Sequence, residues 1–279
     1  MVEITILTPD DIEAGMRLST QAGWNQVAAD WERFIDLSPN RCFAGRVDGR
    51  VVATTCLVTY EDVTWIGMVL VDEAHRCKGY GTALFEHALD SVREDTRMDI
   101  GLDATEDGAS IYRESGFQVA SPIERWSGTL KSGDSEDAAT VLPPTEADAI
   151  YTLDQQAVDI DRSHLLERML SEVGTSALGI REDGRLTGYG ILRPGRMCPQ
   201  LGPIVVSEPT DLKLLLNGTS AVLSDPTIII DTFPNAETTG ILESYGLSKQ
   251  RELVRMSYQS DRPLLNGPTI HGAVDFAWG

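Results

Sequence analysis

Val69-Leu-Val-Asp-Glu-Ala-His-Arg76-Cys-Lys-Gly79-Tyr-Gly81-Thr-Ala-Leu-Phe-Glu-His-Ala-Leu89 is the stretch on which the fold turns. A short apolar strand runs into Arg-x-x-Gly-x-Gly, after which the apolar spacing becomes helical. That spelling predicts a diphosphate cradle. Glycines lack a Cβ, so backbone N–H groups can close on an anion; the helix that starts there adds the positive end of its dipole, and Arg76 supplies a forked charge. Two other phosphate loops are excluded by their spelling. A P-loop ends in Gly-Lys-Ser/Thr, whereas Lys78 precedes both glycines, and a dinucleotide fingerprint needs a third Gly or Ala where Leu84 stands.

Working outward, Ile4 to Leu7 reads as a first strand, Thr8-Pro-Asp-Asp as a helix start with an amphipathic run to Thr20, and Gln26 to Leu37 as a second helix. Arg41 to Val47 and Val51 to Tyr60 are apolar strands joined by Asp48-Gly49, the strongest hairpin signal in the chain. Thr64 to Val71 joins them. A helix over Gly81 to Arg93, a strand from Met98 to Asp103, a helix from Gly108 to Glu114 and strands near Gln118 and Glu124 complete a mixed α/β unit.

From Leu130 to Ala147 the pattern collapses into polar, turn-rich sequence ending in Leu142-Pro-Pro-Thr, which predicts a linker. Past it, a helix over Arg162 to Val173, strands at Ala177 to Ile180 and Leu186 to Leu192 around Asp183-Gly184, a strand at Pro203 to Val206, a helix through Lys213 and a strand at Thr227 to Thr232 repeat the earlier order. The chain reads as an internal duplication. Ile111-Tyr-Arg-Glu-Ser-Gly-Phe117 and Ile241-Leu-Glu-Ser-Tyr-Gly-Leu247 share a helix-to-glycine exit into a strand. The assigned units are 1–130, a linker over 131–146, and 147–279, the last closing with an apolar segment from His271 expected to add a strand to one half.

The 279 residues suit about two domains at roughly 150 each. With 43 acidic against 23 basic side chains the formal charge is −20, which argues against a nucleic-acid partner and favours a cationic substrate. Only Lys78, Lys131, Lys213 and Lys249 are lysines, a balance expected either in a salt-rich cytoplasm or in an ordinary acidic protein. Met1-Val-Glu-Ile-Thr-Ile has neither a basic leader nor a long apolar run, so a cytoplasmic protein without a membrane span is expected. Cys42, Cys56, Cys77 and Cys198 show no metal-ligand or disulfide spacing, and no metal is expected.

A second motif, Thr105 to Tyr112 followed by Gly116-Phe117, accompanies the glycine loop. Together they resemble the Gcn5-related N-acetyltransferase (GNAT) superfamily, in a tandem form with a diverged second copy. The resemblance implies an α/β (α+β) fold of two units, each a mixed, mostly antiparallel sheet flanked by helices. It also implies acetyl-CoA as co-substrate, held by the strand edge Val69, Leu70 and Val71 and by the loop Arg76, Cys77, Lys78, Gly79, Tyr80, Gly81 and Thr82. Tyr112 falls where the family protonates the departing thiolate, although Thr105, Gly108 and Ile111 stand where Asn, Ala and Leu are usual. The strand from Thr64 to Val71 offers no carboxylate as base, leaving Asp103 as the candidate beside a water chain to bulk solvent. Trp24 and Asn25 lie where family members close the acceptor pocket, and a small-molecule amine is the expected acceptor. In the second half Asp211, Leu214 and Leu216 replace Arg76, Gly79 and Gly81, and Leu242 replaces Tyr112, so catalysis is expected in the first half alone. The alternative is a non-catalytic acyl-CoA sensor. Oligomeric state is left open.

Overall fold

The computed structural model describes residues 2–94, 98–131, 137–260 and 262–279. Along the first half run β1 (Glu3–Ile6), α1 (Ile12–Gln21), α2 (Ala28–Leu37), β2 (Cys42–Val47), β3 (Arg50–Tyr60), β4 (Val63–Val71), α3 (Tyr80–Asp90), β5 (Asp99–Ala104), α4 (Glu106–Glu114) and β6 (Phe117–Thr129). The second half repeats this order as β7 (Thr140–Val141), α5 (Ala147–Val158), α6 (Ser163–Leu170), β8 (Ser176–Glu182), β9 (Arg185–Arg193), β10 (Gln200–Val205), α7 (Leu212–Val222), β11 (Thr227–Thr232), α8 (Ala236–Ser244) and β12 (Ser248–Tyr258), with β13 (Ile270–Gly272) added. Asp48-Gly49 and Asp183-Gly184 both take positive φ at two successive residues, the geometry that matches a two-residue hairpin to strand twist. One strand, β6, replaces the two expected near Gln118 and Glu124.

α5 is an element that the sequence reading passed over. Its buried positions Ile150, Asp154 and Val158 fall at four-residue spacing, but the acid in the middle hides the apolar stripe. Asp154 is tolerated there because Arg162 binds both of its oxygens at 2.8 Å and the Tyr189 hydroxyl donates to it. Of the expected linker, 132–136 lie outside the described residues, while Thr140–Val141 pairs with β8 at the sheet edge.

The strands form one sheet in the order β1-β2-β3-β4-β5-β12-β6-β11-β10-β9-β8-β7, antiparallel except for β4 beside β5 and β10 beside β11. The two halves exchange their last long strands: β12 pairs with β5, and β6 pairs with β11, across a long β6–β12 contact. Removing the second half would strip β6 of both its neighbours and β5 of one, and leave open edges. The core crosses the halves as well, with Trp31, Phe34 and Trp65 packed in one cluster with Leu165, Met169, Tyr189 and Trp278. On the opposite face of the first sheet, α3 buries Phe85, Ala88 and Leu89 against Leu57, Ile66, Leu102 and Met256.

Candidate active site

The two parallel strands at the centre of the first half separate. β4 and β5 pair only through Val63, Thr64 and Trp65 with Asp99, Ile100 and Gly101. Beyond them Met68 takes a φ of 53°, its carbonyl accepts from Thr54 Oγ1 at 2.8 Å, and the β3–β4 register shifts. Such a bulge bends a strand and increases its twist. Gly67 to Val71 consequently have no strand on their β5 side, and the gap opens into a cavity of about 80 Å³. One water needs ~10–15 Å³, so there is room for several non-hydrogen atoms.

Val69, Leu70 and Val71 lead from this cavity to the glycine loop. Cys77 and Gly79 both adopt left-handed backbone, at φ 59° and 76°, and Gly79 forms the N-cap of α3. The first helical bond is donated by the Ala83 N–H to the Gly79 carbonyl at 3.0 Å. The N–H groups of Tyr80, Gly81 and Thr82 therefore have no intrahelical acceptor. Arg76 and Lys78 are exposed beside them, Arg76 resting on the Val71 carbonyl and Lys78 on that of Ala74. A Cβ on Gly79 would meet nothing within 4 Å, so the space over the loop is open. Free N–H groups, two exposed cations and residues without a Cβ fit a diphosphate. The start of the loop is anchored by Asp72, which accepts from the Ala74 N–H, binds His75 at 3.1 Å and pairs with Arg17 of α1. His75 foremost, with Arg17, draws its carboxyl down to about 2 against the opposing effect of burial.

Tyr112 of α4 lines the cavity from the far side, its ring 4.6 Å from that of Phe85 and 6.3 Å from that of Phe117. Its hydroxyl has no hydrogen-bond partner among the described residues, and burial pushes its pKa up to about 12, so the phenol is neutral at any ordinary pH. Asp103 is placed differently from a free base. Arg255 Nε and Nη2 each donate to one of its oxygens at 2.9 Å, and the Asp103 side chain is 0% exposed, so only its main chain faces the cavity. Burial raises its pKa while Arg255 opposes the rise.

Trp24 lines the cavity, whereas Asn25 turns away into a brace between the halves. The Asn25 amide oxygen accepts from the Met197 N–H at 2.8 Å, and its nitrogen donates to the Cys198 carbonyl at 3.0 Å. Gln26 was not among the residues expected to contact substrate. It is 5% exposed, lines the cavity, and its Oε1 has no partner among the described residues. Arg125, Arg251 and Phe276 complete the wall and were likewise missed. A signal did exist: on β12 the alternation Arg251, Leu253, Arg255 puts two arginines on a face that otherwise reads as core.

In the second half β10 and β11 part in the same way, pairing only at Gln200 and Ile229. There the chain fills its own gap. β13 pairs with β10 through Ile204 with Gly272 and Val205 with Ile270, and the Ala273 N–H donates to the Asp231 carbonyl of β11 at 2.8 Å. Among the described residues none between β10 and α7 is left-handed; instead the Glu208 N–H donates to Asp211 beside the helix start, where acids would face any anion. Leu242, in the place of Tyr112, is fully buried. The closing segment is thus a strand only over Ile270–Gly272. Asp275 then captures the Ala277 N–H at 2.7 Å, turning the chain so that Phe276 and Ala277 reach the first cavity and Trp278 stacks on Phe34 at 3.7 Å.

Residues 13–117 match the acetyltransferase (GNAT) family, and residues 150–272 match an acetyltransferase (GNAT) domain. This chain belongs to the GNAT superfamily as a tandem member. As a GNAT protein it is an acyltransferase, of a family that uses acetyl-CoA. It is 25% identical over 271 residues to the uncharacterized N-acetyltransferase YitH of Bacillus subtilis, covering 95% of this chain and 94% of the relative. The fold is shared with a putative acetyltransferase from Pyrococcus horikoshii (TM-score 0.83, 21% identity, 100% and 96% coverage). A tandem GNAT protein from the clavulanic acid biosynthesis pathway also shares it (TM-score 0.67, 16% identity, 92% and 98% coverage). Among the described residues no helix of this GNAT chain is long and apolar enough to cross a membrane.

Proposed function

We propose that the first half transfers an acetyl group from acetyl-CoA to the amine of a small molecule, and that the second half has given up cofactor binding. The observation that carries this reading is the contrast between the two strand gaps. One is open and lined by a neutral Tyr112, and the strand beside it runs on into a loop of free N–H groups; the other is filled by β13.

When bound, acetyl-CoA supplies the activated thioester. Arg76, Lys78 and the N–H groups of Tyr80, Gly81 and Thr82 hold the diphosphate, while the open edge of Val69, Leu70 and Val71 receives the pantetheine amides. Among the described residues no cysteine or serine lines the cavity, and the Thr105 hydroxyl oxygen accepts from the Gly108 N–H at 3.2 Å as the cap of α4, which favours direct attack by the amine over a covalent enzyme intermediate. The Tyr112 hydroxyl delivers its proton to the departing sulfur. Both oxygens of Asp103 are held by Arg255, so the amine loses its proton to water.

Calorimetric titration with acetyl-CoA, followed by thiol release on addition of a panel of amines, tests the proposal. One site per chain and turnover with at least one amine are expected. Two sites would refute the loss of binding in the second half, and binding without turnover would make the protein a sensor.

A further inference from the structure

Among the described residues Arg251 makes no ion pair. It faces Arg125 directly across the β6–β12 pair, and Arg125 faces Asp231 across the β6–β11 pair, so two cations and one acid stand in a row on three adjacent strands. The acid is fully engaged. Asp231 receives Arg125 Nε and Nη2 at 2.7 and 2.6 Å and Gln200 Nε2 at 2.9 Å. Among the described residues Arg251 makes no hydrogen bond or ion pair, and its buried Nε is without a partner. The ring of Phe276 lies 5.2 Å away, and Arg125 shares it at 4.5 Å. Burial first, and the neighbouring Arg125 second, lower its pKa to about 10 against a smaller opposing pull from Asp231, which Arg125 already holds.

A half-buried guanidinium beside a like charge is unfavourable, and one shared aromatic face does not compensate for an absent anion. The position gives it a use. Arg251 lines the same cavity as Tyr112, Met68 and Val69, as does Gln26, whose buried Oε1 has no partner among the described residues. Resting on the acetyl-transfer reading above, we infer that the acceptor is an amine that also carries a carboxylate, bound by the Arg251 fork while Gln26 Oε1 accepts from the amine N–H. A planar fork matches a carboxylate with two parallel hydrogen bonds, which neither a lysine nor a neutral donor reproduces. The local excess of positive charge reverses the preference for a cationic acceptor that the overall charge of −20 suggests. Long-range fields are screened within ~8 Å at physiological salt, whereas the fork acts at contact.

The test uses matched trios: an α-amino acid, its primary amide and the amine left by its decarboxylation, assayed with acetyl-CoA. The free acid is expected to have the highest kcat/KM of its trio, and Arg251→Met to raise its KM by roughly 10- to 100-fold, collapsing the preference. Arg251→Lys should recover only part of it. Thermal unfolding separates this role from a structural one, because removing a cation that faces Arg125 should leave Tm unchanged or raise it, whereas a packing arginine would lower it. Calorimetry with N-acetylglycine and N-acetylglycinamide gives a readout without turnover: tighter binding of the acid, lost in Arg251→Met, is expected. Equal kcat/KM across the trios, or equal or no binding of the two acetylated probes, overturns the carboxylate assignment and leaves acetyl transfer standing. Failure to acetylate any amine would bring down the transferase reading itself.

Discussion

Replacing Asp103 by Asn keeps the shape of the side chain and removes its charge, leaving Arg255 with only 1% of its side chain exposed and no anion. Breaking a buried ion pair in this way costs about 3–5 kcal/mol. Arg255 retains its hydrogen bonds to the Leu264 and Leu265 carbonyls at 3.0 and 3.1 Å and its places over Trp65 and Phe233, which puts the expectation at the lower end, about 3 kcal/mol. At ~2–4 °C per kcal/mol for a chain of this size, Tm should fall by roughly 6–12 °C. Thermal unfolding followed by circular dichroism measures this, while kcat is taken well below the transition. A base at Asp103 makes the opposite forecast, because losing it should cost about 10²–10⁴ in kcat with little change in Tm. The structure predicts a kcat within about threefold of wild type on the folded fraction. The double variant Asp103→Leu with Arg255→Met, which removes both charges, should recover most of the lost stability. An Asp103→Asn protein that melts like wild type and is a hundredfold slower would refute the ion-pair account.

Tyr112→Phe keeps the ring against Phe85 and Phe117 and deletes the donor, so kcat should fall roughly 10²-fold or more while acetyl-CoA affinity holds; a kcat within about threefold would leave the ring a packing role only. The raised pKa of Tyr112 means its proton is fully present below the unfolded value of about 10 and is lost only as pH rises through about 12, so a pH–rate profile should show no decline from this group between pH 7 and 10. A decline there that Tyr112→Phe abolishes would contradict the burial of the phenol. Gly81→Glu brings a Cβ to 3.0 Å from Val71 Cγ2, a methyl that can move, and places a carboxylate at the cradle. Calorimetry should show acetyl-CoA binding lost in a protein that still melts cooperatively, and unchanged affinity would sink the diphosphate assignment.

Local chemistry carried much of the outcome. Arg76 to Thr82, the two Asp-Gly hairpins and the repeated element order are written in short-range spacing, because glycine freedom, helix termini and strand alternation act over a few residues. The neutral Tyr112 follows a motif of the same kind. Other features have no local signature. Asp103 and Arg255, 152 positions apart, meet only because the halves exchange strands, and Asn25 braces a loop 172 residues away in the other half. The pairing of Arg251 with Arg125, and the consumption of Asp231, depend on register between three strands drawn from both halves. The closing segment shows the division most plainly. Its apolar residues predict burial, yet only the parting of β10 from β11 decides that this segment fills the second gap, and only the turn at Asp275 decides that Phe276 walls the first. Spacing along a chain specifies which groups a residue can offer, and the contacts that spend or free those groups are set by strands far away in sequence.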